Sequence, residues 1–363
     1  MEELTLVPID TLSFELDSLT SPKSWMFQFK IIDDILYFFL ANTGINALEA
    51  YSFNSAKVEK IISFPQEGPN TNLIRENFYV HNWDSLFFID SDANRVLLFD
   101  STATLLKSWP IIFREEHNNF TISTQEYYFR PYYDVRNTSI GFWIYPPASP
   151  FGSDYARFAK AVDYNVRDNT YVSYGQYPAN YFDEPGTNVV FIPTNGYQTD
   201  RQSVLYYGAS SQIYLYDKSS KNLLRVIDAK SKHLPGGVPP LQTNEPENEA
   251  TYDERIEYYR TTGDYEYMFS NEDYSYHYRI VKHPGEFKDA TGRIKTNDEF
   301  VFSIMIFDRD FRLINEIDFP AGIYDFRQSF AYGKQLYICL NNPMNEGVGE
   351  DHLLFQALNL HPI

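Results

Sequence analysis

The sequence predicts an all-β fold, a β-propeller of six blades, with seven blades as the alternative. Short runs of Val, Ile, Leu, Phe and Tyr fill the 363 residues, separated by Asn, Asp, Gly, Ser and Pro, while helical spacing of apolar residues is nearly absent. Branched and aromatic side chains pack well on a pleated sheet, so this pattern predicts strands. A unit of one strand and one hairpin also recurs, and its shortest step, from Phe53 to Phe99, is 46 residues. That step is typical of a four-stranded propeller blade.

Each unit ends in two strands joined by a short polar turn, which predicts a β-hairpin. In chain order the hairpins are Leu48–Phe53 with Val58–Ile62, Val96–Asp100 with Leu105–Trp109, Ala159–Tyr164 with Tyr171–Tyr174, Ile213–Asp217 with Leu223–Ile227, and Ile304–Asp308 with Leu313–Ile317. A further strand precedes each hairpin: Ile35–Leu40, Leu86–Asp90, Ile140–Tyr145, Val204–Gly208 and Tyr274–Val281. Aspartates recur near the end of the first hairpin strand: Asp100, Asp163, Asp217 and Asp308. We expect them to fix the turns by accepting hydrogen bonds from nearby backbone N–H groups.

The sixth unit lacks a last strand, because the chain ends after Leu336–Leu340 and Leu353–Leu360. Two strand-like runs, Leu4–Val7 and Leu12–Leu16, precede the first unit. We expect this N-terminal strand to complete the last blade, since that closes the ring without long exposed edges. Residues 1–363 then form a single propeller domain. A different division of residues 153–181 and 188–227 gives the seven-bladed alternative.

One segment, at about residues 230–262, departs from the repeat. Its first half contains Pro235, Gly236, Gly237 and Pro239, which indicates a loop. Its second half, Glu247–Arg260, has the composition of a short helix. Long insertions in compact folds often line or cap a functional site, and a surface loop without such a role is the equal alternative.

The charge and the cysteine content restrict the classes of function. With 30 Lys plus Arg against 49 Asp plus Glu, the net charge is −19, which repels nucleic-acid phosphates. We therefore expect no nucleic-acid partner. The densest apolar run, Ile35–Ala41, is far shorter than the roughly 20 residues of a membrane-spanning helix. Cys339 is the only cysteine, so no intrachain disulfide forms, and we expect it to be a small buried residue.

The segment Ser85–Asp100, Ser-Leu-Phe-Phe-Ile-Asp-Ser-Asp-Ala-Asn-Arg-Val-Leu-Leu-Phe-Asp, resembles a unit of NHL/TolB-like six-bladed propellers. The whole chain, with its Tyr-rich strands and the stretch Tyr274–Arg279, resembles an uncharacterised family of Bacteroidetes six-bladed propeller lipoproteins. The resemblance implies a periplasmic or cell-surface protein, anchored to the membrane by lipid. The export signal and the lipid-modified cysteine of that family are missing here, so we expect a removed leader, with a cytoplasmic location as the alternative. The family supplies no catalytic residue.

No motif of metal or cofactor chemistry is present in the sequence. None of the seven histidines forms H-x-H or H-E-x-x-H, and His277 and His283 flank a strand, so a zinc site requires assembly by the fold. The run from Asp90 to Asn94 opens like a calcium loop, but Arg95 replaces the required Gly, which indicates a plain hairpin turn. We expect no metal, no cofactor and no catalytic residue.

Two mixed clusters are the candidate ligand-binding sites. They comprise Arg130, Tyr132, Tyr133, Tyr276, His277 and Arg279. Arg flanked by Tyr binds carboxylates or sugars through hydrogen bonds and ring stacking. The alternative is that the tyrosines pack between blades while Arg and His face solvent.

Together these features favour a non-catalytic propeller of the bacterial cell envelope that binds a protein or carbohydrate ligand, and we expect a monomer. The alternative is a glycan- or peptide-processing enzyme, a hydrolase or lyase, with its site in the central channel. A rigid ring with loops at both faces suits recognition without chemistry.

Overall fold

Strands form nearly all the regular structure in the part of the chain that the computed structural model describes. The described residues are 4–23, 26–65, 77–113, 121–122, 131–145, 158–178, 181, 194–241 and 251–362. No helix among them is long and apolar enough to cross a lipid bilayer. The observed structure is therefore all-β, as predicted.

The strands form antiparallel blades around a ring. The chain enters through β1 (Leu4–Glu15). Blade 1 contains β2 (Phe27–Ile32), β3 (Ile35–Asn42), β4 (Ala47–Ser52) and β5 (Lys57–Ser63). Blade 2 contains β6 (Asn77–Asn82), β7 (Ser85–Asp90), β8 (Arg95–Phe99) and β9 (Leu105–Pro110). Blade 3 contains β10 (Thr121–Ile122), β11 (Tyr132–Asp134), β12 (Ser139–Tyr145), β13 (Ala161–Asn165) and β14 (Thr170–Tyr174).

The remaining blades repeat the same up-and-down order. Blade 4 contains β15 (Thr194–Gln198), β16 (Gln202–Tyr207), β17 (Gln212–Asp217) and β18 (Leu223–Asp228). Blade 5 contains β19 (Asp264–Ser270), β20 (Tyr276–Lys282), β21 (Phe302–Asp308) and β22 (Leu313–Phe319). Blade 6 contains β23 (Asp325–Tyr332), β24 (Gln335–Cys339) and β25 (His352–Pro362), with β1 as its outer strand. The six-bladed prediction is confirmed over the seven-bladed alternative.

The N-terminal strand closes the ring, as predicted. β1 pairs antiparallel with β25, from Leu4 opposite Pro362 to Glu15 opposite His352. Phe14 of β1 is fully buried, and its ring stacks on Phe38 of blade 1 at 5.7 Å between centroids. The closing strand therefore contributes both a ladder of backbone hydrogen bonds and an apolar contact with the first blade.

The core lies between neighbouring blades. One cluster of buried apolar side chains joins blades 1 and 2, another joins blades 5 and 6, and a third joins blade 6 to blade 1. Such interfaces need large side chains on both faces of each sheet, because a blade is covered on two sides. This requirement explains the dense runs of Phe, Tyr, Ile and Leu in the sequence.

Three of the four predicted turn aspartates fix their turns. Asp100 accepts hydrogen bonds from the backbone of Thr102 and Thr104, and Asp217 and Asp308 do the same in their own turns. The prediction is wrong for Asp163, which lies inside β13 and is buried. Asn165 fixes that turn instead, because the hairpin strand runs two residues further than in the other units.

The insertion at about 230–262 connects blade 4 to blade 5. It contains α1 (Tyr252–Thr261), which begins with a capping box in which Thr251 and Glu254 bond each other's backbone N–H groups. Residues 242–250 of the insertion lie outside the described residues. Tyr258 of α1 is buried, so the helix packs onto the ring.

Candidate functional site

The two ends of the ring carry connections of very different length. At one end, the turns between the first and second and between the third and fourth strands of each blade are two to five residues long. At the other end lie the connections between the middle strands and those between successive blades, which reach 35 residues in 229–263. We call these the short-turn end and the long-connection end. Because binding residues concentrate on long loops held by a rigid scaffold, the long-connection end is the candidate functional face.

Tyrosines of blades 2, 4 and 5 approach one another across the ring. Burial raises the pKa of Tyr274 to about 12, and Asp200 and the phenol of Tyr79, from the opposite side of the ring, raise it as well. Tyr197 of blade 4 interacts with Tyr274. Lys30 Nζ lies 3.4 Å from Tyr79 Oη, and burial lowers the pKa of this lysine.

A cavity of about 750 Å³ opens at the long-connection end of blade 6. It is lined by residues 16–23, which connect β1 to β2, and by residues of the β24–β25 connection between 341 and 351. Its volume is within the usual range of small-ligand sites. Charged lining residues are Asp17, Lys23, Glu350 and Asp351, and no aromatic side chain is among the described lining residues. The lining thus mixes polar and apolar groups, and its formal charge is negative.

A buried charged group lies beside this cavity, at the start of the inner strand β23. Arg327 Nη1 lies 3.5 Å from Asp325 Oδ1 and 3.5 Å from Asp298 Oδ1. Burial raises the pKa of Asp325, which Arg327 partly offsets. Asn342, one of the cavity residues, donates its side-chain amide to the carbonyl oxygen of Asp298 at 2.8 Å. This hydrogen bond joins the cavity wall to the charged group at the channel.

A second charged group lies at the start of β19 in blade 5. Lys282 Nζ is 2.6 Å from Asp264 Oδ2, and both side chains are almost fully buried. Burial raises the pKa of Asp264 well above its ordinary value, and the neighbouring Glu266 raises it further. Tyr259 of α1 donates to Glu266 Oε1 at 2.9 Å and covers the group from the insertion. Lys282 opposes this rise in pKa, because its ammonium group favours the ionised carboxylate.

The model of a protein family described as a domain of unknown function, DUF4221, matches residues 3–318. The chain belongs to this family. A crystal structure of a DUF4221 member from Bacteroides vulgatus is similar over 100% of this chain and 99% of its own, with 18% identity and a TM-score of 0.80. A Bacteroides fragilis protein that bears the provisional name of exported protein is similar over 99% of this chain and 95% of its own, with 11% identity and a TM-score of 0.57. A search of curated proteins gives no match.

The structure places the first predicted cluster of this DUF4221 chain in two blade interfaces. Tyr132 Oη donates to Asp163 Oδ2 at 2.8 Å, and Lys221 of blade 4 pairs with the same carboxylate oxygen at 2.5 Å. Tyr133 instead stacks on Phe87 of blade 2 at 4.6 Å. Arg130 lies outside the described residues.

The second predicted cluster lies around β20. Arg279 is fully buried and donates to the carbonyl oxygens of Ser211 and Ser210 in blade 4, at 2.7 and 2.8 Å. His277 is buried as well and bonds Tyr197 Oη through Nδ1 at 2.7 Å. Tyr276 is directed to the other face of blade 5, toward the core shared with blade 6. No contact among the described residues joins these side chains to Tyr132 and Tyr133. A shared ligand role for the two clusters therefore stays a prediction.

The charged groups of the DUF4221 chain at the long-connection end were missed by reasoning from the sequence. Asp264, Glu266, Asp325 and Arg327 all belong to inner strands, which face the channel and mix charged residues with tyrosines. A search for continuous apolar runs finds the buried middle strands instead. The signal that was available is the alternation Asp-Tyr-Glu-Tyr at 264–267, which has the period of a strand.

Proposed function

We propose that this DUF4221 chain is a non-catalytic binding propeller of the bacterial cell envelope that acts as a monomer and takes a peptide ligand with basic side chains at the long-connection end. The observation that carries the proposal is the cavity in blade 6, where the net negative lining lies beside the charged group of Arg327. The exported relative from Bacteroides fragilis supports an envelope location.

The chemistry of the lining favours a peptide over a sugar. Carboxylates at Asp17, Glu350 and Asp351 outnumber the single cation Lys23, so a cationic ligand is attracted and an anionic one is repelled. Sugar sites commonly use an aromatic ring as a stacking surface, and the described lining offers none. Side-chain amides such as Asn341 and Asn342 suit the backbone groups of a bound peptide.

The test is a thermal-shift screen of basic peptides, acidic peptides, cell-wall fragments and neutral oligosaccharides. A ligand that binds only the folded chain raises the Tm according to its concentration relative to Kd. We expect a shift from basic peptides that shrinks as salt is added, because salt screens exposed charges. Glu350→Gln, at the cavity, weakens it, whereas Glu346→Gln, four residues away and outside the lining, does not. A response to neutral oligosaccharides alone contradicts the ligand class, and no response from any class contradicts the proposed site.

One observation favours an enzyme as the second candidate function. The pKa of Asp264, which lies beside Lys282, is raised by burial, and a carboxyl group with a raised pKa is the usual general acid of a glycan- or peptide-processing hydrolase. Access requires α1 to move, because Tyr259 covers the group. Chromogenic glycosides and peptides test this candidate: turnover by the wild type that Asp264→Asn abolishes, with the fold retained by circular dichroism, supports it, and absence of turnover contradicts it.

A further inference from the structure

Three side chains on separate segments converge at the long-connection end of blade 5. His233 lies in the β18–β19 connection, His283 directly follows β20, and Asp318 belongs to β22. Each offers one ligand atom, and the three atoms lie within 4.8 Å of one another. We propose that His233, His283 and Asp318 bind a divalent transition-metal ion, with Zn²⁺ as the best-fitting ion. This site is separate from the cavity in blade 6 and independent of the proposed function.

The side chains of the cluster lie close together. His233 Nε2 lies 2.7 Å from Asp318 Oδ1, and the rings of His233 and His283 stack with centroids 3.6 Å apart. Two imidazoles and one carboxylate leave a position of a tetrahedral zinc ion open for water or a ligand group. Calcium and magnesium prefer sites made of oxygen atoms, so the two nitrogens select against them.

One ligand atom has no other use in the structure. His283 Nε2 is buried and has no hydrogen-bond partner among the described residues. Buried polar atoms are normally bonded, so an atom of this kind requires an explanation.

The segment that carries His233 is anchored to blade 5. Glu316 is buried and accepts hydrogen bonds from Ser231 Oγ at 2.6 Å, from the backbone N–H of Lys232 at 2.8 Å and from Ser303 Oγ at 2.6 Å. Ser231 Oγ in turn accepts from the backbone N–H of His233 at 3.0 Å. Metal sites depend on groups that hold the ligands in orientation, and Glu316 has that role here.

The ammonium group of Lys232 competes with the metal for Asp318. Lys232 Nζ lies 3.1 Å from Asp318 Oδ1, but half of each side chain is exposed to solvent. An exposed ion pair of this kind contributes little free energy, so the lysine gives way to a divalent cation. The bound ion joins the 229–263 connection to the end of blade 5, which fixes the base of that long connection.

The experiment is isothermal titration of Zn²⁺ into the chelator-treated full chain, prepared without a histidine tag, with Co²⁺ absorption as a second readout of coordination by imidazole. We expect one ion per chain, and we expect His283→Gln and His233→Gln each to weaken binding by at least the roughly 10–100-fold that changing a ligand-orienting residue costs. His352→Gln is the matched control, because His352 Nδ1 also bonds a carboxylate, Asp351, at 3.0 Å.

The two histidine variants separate loss of the site from loss of the fold. His233 is the more suitable if His283→Gln fails to fold, since the side chain of His233 is partly exposed. Zn²⁺ binding that the control variant retains and the folded His233→Gln variant loses supports the proposal. Absence of binding by the wild type, or equal binding by wild type and both variants, overturns it.

Discussion

Replacing Arg279 by Met should lower the free energy of unfolding of the propeller. The guanidinium of Arg279 crosses the interface between blades 4 and 5, where it donates to the carbonyl oxygens of Ser210 and Ser211 and lies 4.0 Å from the centroid of the Tyr265 ring. Met fills much of the same volume but cannot donate. The substitution therefore removes three polar contacts while keeping most of the packing.

The size of the effect follows from these contacts and from the burial of the charge. Two charge-assisted hydrogen bonds are worth roughly 1.5–3 kcal/mol each, and a desolvated cation–π contact adds about 2, which gives about 5–8 kcal/mol. Burial opposes this, because desolvation disfavours the charged guanidinium and lowers the pKa of Arg279 to about 10. Subtracting about 3 kcal/mol for burial leaves an expected loss of about 2–5 kcal/mol.

Urea unfolding followed by circular dichroism measures the loss. Arg225→Met is the matched control, because Arg225 donates to the carbonyl of Asp310 across the same two blades at 2.9 Å but is exposed. We expect the control to lose under about 1 kcal/mol. Equal losses in the two variants, or a loss below about 1 kcal/mol for Arg279→Met, would refute the interpretation of Arg279 as an interblade contact.

Three further substitutions test the packing, again by urea unfolding. Phe14→Ala should lower the free energy of unfolding by about 3–5 kcal/mol, because the side chain is fully buried. Ile9→Ala on the same strand should cost little, since Ile9 is 45% exposed. Equal effects of the two substitutions contradict closure of the ring through β1. Burial lowers the pKa of His277 from 6.5 to about 4, so the unfolded chain binds this proton more tightly and about 3 kcal/mol of stability is lost as the pH falls from about 6.5 toward 4. His277→Gln should therefore flatten the dependence of the unfolding free energy on pH, and an unchanged dependence contradicts this. Lys221→Met should cost about 3–5 kcal/mol by leaving Asp163 unpaired, and adding Asp163→Asn should recover part of it; no recovery contradicts the pairing.

The middle strands could be predicted from the sequence because burial selects their residues. Strands such as β3, which is buried along nearly its whole length, appear as continuous apolar runs. The closing strand was predictable for a related reason, since an incomplete last unit and an unpaired first strand each leave an exposed edge. These elements leave a pattern among residues that are neighbours in the sequence, so the sequence alone reveals them.

The inner strands and the site could not be found in this way. β23 reads Asp-Phe-Arg-Gln-Ser-Phe-Ala-Tyr, because one edge borders the channel and polar groups are bonded there by partners distant in sequence. The grouping of His233, His283 and Asp318 likewise depends on two connections and strand β22 meeting at one end of a blade. Partners separated by long stretches of chain leave no local pattern, so only the folded structure reveals them.

The pairing of Leu4 with Pro362 also determines how the protein faces its surroundings. β1 begins and β25 ends at the short-turn end, so a tether attached at either terminus holds that end against its support. The cavity of blade 6 and the histidine cluster of blade 5 then face outward, whether the support is a membrane or a sensor surface. Immobilisation through a terminus is therefore the suitable geometry for binding measurements on this protein.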